Sequence, residues 1–522
     1  MRKRPILILF TALSVIYGCE KDIQPDNDQN QTETTPDGGA DEGTGDGTDS
    51  GKDEGDGTGE GEGTGGGLPV ATYPAGAFTV SDVNDEGISY VWDESVIPEI
   101  TIHMTPEEWN RLLARYDEFA HNVDYFHADF TYKKGQEEIF IEDGGVRLRG
   151  NTSRRRPEGN GGQVHNPDNP DWHHCHFGIN FRKFHKDKEH TIKGIRKVNL
   201  KWFKDDPCYV RELYCYNLFR RYGIWTSAFS TYCRVWLDIK GDRQKAYLGV
   251  FNMIEPIDDE FIERRVTGMF EKDKGYLWKC VYGEGGPADL QNTDAHKFNW
   301  DQDNGINYTY EFKGDEEDFA AACEQLKDFI LKLKGKGEES FYNWIKQVCD
   351  VDLLLKTYAV NVAVGMWDDH WNNGNNYYLY FNTTDKYDYK VFFLPYDYDN
   401  TLGTSSNCGV ISDSGRHDPY NWGDSGLLME RLMKFNDFRQ TYKNAFQELV
   451  DPARDLFDMQ SSVARIRLWQ GNIAPYISND TGEDMSIEDK PASWGNHHEY
   501  RLMDTGADNF FKVKTETIRR MK

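Results

Sequence analysis

The chain has 522 residues, a formal net charge of −28 and 14% aromatic residues. Such acidity argues against a nucleic-acid partner, whose phosphates need a basic face. By length the chain would fill two or three domains, or one enzyme with large insertions.

Residues 1–19 read as an address. Arg2, Lys3 and Arg4 precede a short apolar run, Ile6 to Ile16. A membrane-spanning helix needs about 20 apolar residues, so this run is a cleavable leader and not an anchor helix. It ends in Ile16-Tyr17-Gly18-Cys19, which resembles a bacterial lipobox and implies lipidation at Cys19. The expected location is therefore outside the cytoplasm, on the outer membrane by its lipid. Glu20, Lys21 and Asp22 resemble the charged signal that takes some such proteins to the cell surface. Residues 20–67 hold fifteen acids against two lysines, a net of −13, and almost nothing apolar. Such a segment stays an extended, self-repelling tether. The folded part is expected over 68–522, with eight further cysteines whose pairing sequence cannot give. Cys215, Cys233 and Cys323 sit in apolar stretches and read as buried thiols.

A strand is expected over 100–104, then a helix over 106–116. Thr105 is its N-cap, Pro106 its first residue and Glu108 its capping-box partner. Alternation predicts strands over 138–150, 176–181 and 197–202, separated by a basic and Gly/Pro-rich loop at 154–172. Asp206-Pro207 opens a helix that Gly223 ends. Tyr232–Asp238 and Ala246–Glu255 pair as a hairpin around Gly241-Asp242. Helices follow over 315–334 and 351–364, then strands at 377–381 and 389–396, then a mainly helical region over 427–470. The expected class is α+β, with a β-rich first lobe and a mainly helical second lobe.

Two polar loops flank the 377–396 hairpin. One is Trp367-Asp368-Asp369-His370-Trp371-Asn372-Asn373-Gly374-Asn375-Asn376; the other is Pro395-Tyr396-Asp397-Tyr398-Asp399-Asn400. Metal-dependent phosphoryl transfer needs this type of pairing: one carboxylate to orient an acceptor hydroxyl, another with an Asn to hold Mg²⁺. A Ca²⁺ site or a capped, solvated loop fits the same residues.

The chain resembles the CotH kinase family in five ordered motifs across 146–403. These are Leu148-Arg149-Gly150-Asn151-Thr152-Ser153; Val198-Asn199-Leu200 with Asp206 and Arg211; Gly249 to Asp258; Asp368 with Asn376-Tyr377-Tyr378-Leu379-Tyr380; and Pro395 to Gly403. The resemblance implies an atypical kinase-like fold that moves phosphate from ATP to protein Ser/Thr hydroxyls with Mg²⁺. It puts the catalytic role on Asp368. It puts metal binding on Asp397, with Asp399, Asn373 and Asn376 as helpers. Arg149, Gly150, Asn151, Lys201, Arg211 and Glu255 become nucleotide-binding candidates, with 250–257 as the segment meeting the base.

Many relatives carry a lysine in the strand that here reads Cys175-His176-Phe177-Gly178-Ile179-Asn180-Phe181. Lys201 or Lys183 could substitute, and spacing chooses neither. A catalytically silent surface lipoprotein, glycan-related through its Trp and Tyr residues, is therefore the alternative; a glycoside hydrolase with paired carboxylates is a third reading. In His173-His174-Cys175-His176 only His174 and His176 could converge on a metal, because a strand alternates faces. Arg154, Arg155 and Arg156 are expected in a solvated loop that could meet acidic substrate.

Overall fold

The computed structural model describes residues 67–522 except 188, 267, 273, 301–307, 406–409, 425, 493–495 and 498. The leader with Cys19, the tether up to residue 66, and Cys408 lie outside the described residues. Gly67–Lys522 forms one compact unit.

The first half is built on strands. After α1 (Glu86–Val91) come β1 (Glu99–Met104), α2 (Pro106–Glu118), β2 (Phe126–Lys134), β3 (Glu137–Arg149), β4 (His176–Asn180) and β5 (Lys197–Trp202). Then follow α3 (Arg211–Arg221), β6 (Ser230–Ile239) and β7 (Ala246–Ile254). The seven strands close into a barrel in the order β1-β2-β3-β4-β5-β7-β6. Closure comes from a parallel pairing of β1 with β6, with Glu99 opposite Arg234. A closed barrel leaves no unpaired edge. Ile102, Phe130, Val146, Phe177, Val198 and Leu200 are among the side chains that fill it.

β2 is the strand the sequence conceals. Its inward positions are Phe126, Ala128, Phe130, Tyr132 and Lys134, so a lysine ends the apolar alternation. Burial is possible because the Lys134 ammonium donates to the carbonyls of Tyr90 (2.6 Å) and Asp93 (2.8 Å).

α3 begins at Arg211, four residues later than Asp206-Pro207 suggested. Asp206 caps it from a distance: its Oδ2 accepts the N–H groups of Val210 and Arg211, both at 2.8 Å. Every residue of α3 is buried, and each of its arginines has an acidic partner: Asp206 for Arg211, Glu94 for Arg220 and Asp455 for Arg221.

The second half is less purely helical than expected. α4 (Asp259–Arg265) is followed by β8 (Tyr276–Cys280), β9 (Phe298–Asn299) and β10 (Tyr310–Phe312). Next come α5 (Phe319–Gly335), α6 (Glu338–Val348), α7 (Val351–Ala363), β11 (Tyr377–Phe381) and β12 (Val391–Pro395). The chain continues through β13 (Thr404–Ser405), α8 (Leu427–Leu432), α9 (Asn436–Leu449), α10 (Met459–Ile473), β14 (Asn496–His497) and α11 (Phe510–Arg519). β12, β11, β8, β10 and β9 make a five-stranded sheet in that order. The class is α+β. A closed seven-stranded barrel is nevertheless not the usual small lobe of a kinase, and the second half carries its own sheet.

The seven described cysteines, Cys215, Cys233 and Cys323 among them, are free and buried. Among the described residues no helix is long and apolar enough to cross a membrane.

Candidate functional site

The site begins with strand alternation. Along β5, Val198, Leu200 and Trp202 are buried in the barrel, while Lys197, Asn199 and Lys201 point the other way. That places the Lys201 ammonium outside the barrel, toward α3 and the second half. It donates to Glu212 Oε2 at 2.9 Å and to Asp397 Oδ1 at 2.5 Å, and lies 3.4 Å from Asp399 Oδ2. Glu212 is the second residue of α3, and its side chain is 6% exposed. Lys183 is elsewhere, its ammonium 4.7 Å from the ring of Tyr125. Of the two candidate lysines, Lys201 is the one beside the carboxylate loops.

The two carboxylate loops meet because of the β11–β12 register. Tyr377 stands opposite Pro395, so Asn376 before β11 and Tyr396 after β12 leave the hairpin at the same end. Asp397 adopts a left-handed backbone, φ 61°, and its N–H donates to Tyr216 Oη at 3.2 Å. Asn376, at φ 55°, is the matching position on the other loop. Asn and Asp enter that region more readily than other non-glycine residues, which suits them to these two loop turns.

Asp368 is gripped by amides. Oδ1 accepts from Asn373 (2.6 Å) and Asn375 (3.0 Å), and Oδ2 accepts from Asn376 (3.0 Å). The amide nitrogens of Asn373 and Asn376 are thus committed to Asp368. Asp369 points away into the core, where Asn361 donates to it. Asn361 in turn accepts from Tyr398 Oη at 2.9 Å, which ties the two loops together beneath the site.

Charge is unbalanced here. Glu212, Asp368, Asp397 and Asp399 stand against the cations Lys201, Arg149 and Lys279. Burial works against the Lys201 ammonium, yet Asp397, Asp399 and Glu212 outweigh it and hold its pKa well above the usual lysine range. Burial would raise Asp397, but Lys201 and Arg149 hold it low. Burial and the neighbouring carboxylates push Asp399 up to about 6 and Glu212 up to about 7, against the pull of Lys201. Asp368 is raised by burial and by Asp397, despite its amide bonds. Surplus carboxylates at a half-open mouth are the donor set a hard divalent cation takes. Asp397 and Asp399 are 33% and 40% exposed, so the opening lies on their side.

The barrel supplies the remaining walls. Arg149 ends β3, and its guanidinium lies 3.4 Å from Tyr396 Oη. Gly150 follows at φ 104°, where a Cβ would fall 2.6 Å from Ser153 Oγ. Asn151 is exposed, and its carbonyl accepts from Arg154 N–H at 3.2 Å in a tight turn. A narrow cavity of about 20 Å³ beside Lys201, room for one water, is lined by His176, Glu212, Asn252 and Asp399 among others. Asn252 is the β7 residue opposite Lys201. His176 Nε2 and Asn252 Nδ2 are buried there without a protein partner.

Two expected nucleotide contacts are engaged elsewhere. Arg211 lines the cavity, but its guanidinium bonds Asp206 and the Lys490 carbonyl. Glu255 is 1% exposed and paired with Arg265 at 2.8 Å, so its carboxylate fastens β7 to α4. Segment 250–257 carries the chain out of the barrel. The arginine run is not a solvated loop. Arg154 donates to the Gly150 carbonyl (2.9 Å), Arg155 pairs with Glu483 (2.7 Å) and Arg156 with Asp117 (2.8 Å). His174 and His176 both pack on Trp202, with ring centroids at 5.8 and 4.7 Å, instead of converging on a metal. Glu212 is the member the sequence did not single out. Its only signal is its place directly after Arg211 in the second motif.

A buried lysine–glutamate pair set against two carboxylate loops is the arrangement of a kinase-like protein. The family model described as CotH kinase protein matches residues 146–504, and the chain belongs to that family. A comparison with curated proteins returned no match.

Proposed function

We propose that this protein is an exported, lipid-anchored kinase that transfers the γ-phosphoryl group of ATP to Ser/Thr hydroxyls of a protein acceptor with Mg²⁺. The observation that carries the reading is Lys201, held between Glu212 and Asp397. The family and the surplus of carboxylates support it. In this reading Asp397 and Asp399 hold the cation, with Asn373 and Asn376 oxygens beside them. Bound Mg²⁺ offsets phosphate charge. Lys201, kept in place by Glu212, would pair with the phosphates. Arg149 and the Gly150–Ser153 turn close over the phosphates. Asp368, made more basic by burial, accepts the acceptor hydroxyl's proton as the new P–O bond forms and the bond to ADP breaks.

The test is transfer of labelled phosphate from ATP–Mg²⁺ to a Ser/Thr-rich acceptor. Incorporation by the wild type and none by Asp368→Ala supports the reading; equal incorporation by both overturns it. Stabilisation by ATP–Mg²⁺ without turnover identifies a silent nucleotide-binding relative instead. The anchor has its own test: Cys19→Ala should move the protein from the membrane to the soluble fraction, and retention there refutes it.

A further inference from the structure

A second polar cluster lies at the far end of the barrel. β4 and β5 are antiparallel neighbours, with Phe177 opposite Leu200 and Asn180 opposite Lys197. His176 and Lys201 therefore share one end of the pair, and the connecting loop, 181–196, sits at the other.

We propose that His185, Asp187 and His190 on this loop form a binding site for a divalent transition-metal ion of the zinc class. One ligand atom from each lies within 4.8 Å of the other two. The two imidazoles lie side by side, their ring centroids 4.7 Å apart with 13° between the planes. Asp187 already bonds His190 Nδ1, the contact an ion would replace by entering between oxygen and nitrogen.

The surroundings argue against a chance surface pair. His185 Nε2 bonds Asp143 Oδ2 at 2.8 Å, which fixes the ring and leaves Nδ1 for a metal. A carboxylate behind a ligating histidine is the usual support of such sites. Asp143 also takes His127 on its other oxygen, and His127 stacks on Phe184 at 3.7 Å, directly before His185. Asp143 itself is held at φ 50°, with its N–H donating to Asp129 Oδ1 at 2.7 Å across the β2–β3 bulge. A left-handed aspartate at a bulge that aims one carboxylate at two histidines is a positioning device. Two imidazoles and one carboxylate suit zinc or its neighbours and not Mg²⁺. Three protein ligands leave the fourth tetrahedral position to water.

The experiment titrates Zn²⁺ into the chelator-stripped full-length chain by calorimetry, with excess Mg²⁺ to occupy the carboxylate loops. The wild type should take up zinc saturably. His185→Ala/His190→Ala should bind one equivalent fewer, and Asp187→Asn, which risks little structure, should bind it more weakly. Asp143→Asn should weaken the same equivalent about 10- to 100-fold. Co²⁺ should give a visible absorption band that the double variant lacks. No saturable uptake, or equal uptake by wild type and by a double variant that melts normally, overturns the proposal. None of these readouts depends on phosphate transfer.

Discussion

The two halves of the molecule bring mainly opposite charges to one centre. The barrel contributes cations, Lys201 on β5 and Arg149 at the end of β3. The second half contributes carboxylates, Asp368, Asp397 and Asp399, on loops at one end of a hairpin, and one cation, Lys279 on β8, whose charge also reaches Asp397. α3, buried between them, adds Glu212. The barrel's groups are set by strand alternation and cannot drift without breaking closure. The loop groups are set by left-handed residues and amide bonds, a local framework that a bound cation can adjust. The difference teaches how each set is held: the barrel fixes where Lys201 and Arg149 start, and the loops fix where the carboxylates stand.

That division can be broken most strongly at its fastening. Arg265→Met would leave Glu255 buried and unpaired, and denaturant unfolding should show a loss of about 3–5 kcal/mol. Lys201→Met should lower phosphate transfer about 100- to 1000-fold while circular dichroism shows the fold retained, because it removes a charge aimed at the transferring group. Glu212→Gln should fall short of that loss, since the Gln amide oxygen still accepts a hydrogen bond from the ammonium.

pH separates the loop carboxylates from the barrel. Asp399 and Glu212 titrate near 6 and 7 in the folded chain, against about 4 when unfolded. Between those values the folded state binds more protons, so their contribution to stability is present below about pH 4 and lost as pH rises toward 7. Asp399→Asn should therefore melt higher than wild type at pH 7 and not at pH 4. Mg²⁺ should erase the difference by raising the wild type. A constant difference across that range would place Asp399 outside the charged centre.

The smaller effects sharpen the barrel side. Gly150→Ala puts a Cβ into a left-handed turn against Ser153 and should cost about 1–3 kcal/mol, read as a lower melting temperature. Lys183→Ala should leave phosphate transfer unchanged and cost about 0.5–1 kcal/mol, the value of its contact with Tyr125.

By itself the sequence determined many of the local elements, though not β2 or β8 to β10, and it marked the two carboxylate loops. Thr105 does cap α2, accepting from Glu108 N–H at 3.2 Å, and the 377–396 hairpin has its expected strands. Caps, alternation and tight hairpins are legible because their causes lie within a few residues. Tertiary structure decided the rest. Barrel closure pairs β1 with β6, more than a hundred positions apart. Lys201 rather than Lys183 is chosen because α3 and Asp397 arrive from elsewhere in the chain to meet it. Glu255 lies in a motif that suggested a nucleotide contact, yet it spends its charge on Arg265. Alternation tells which residues share a face; only the folded chain tells what that face meets.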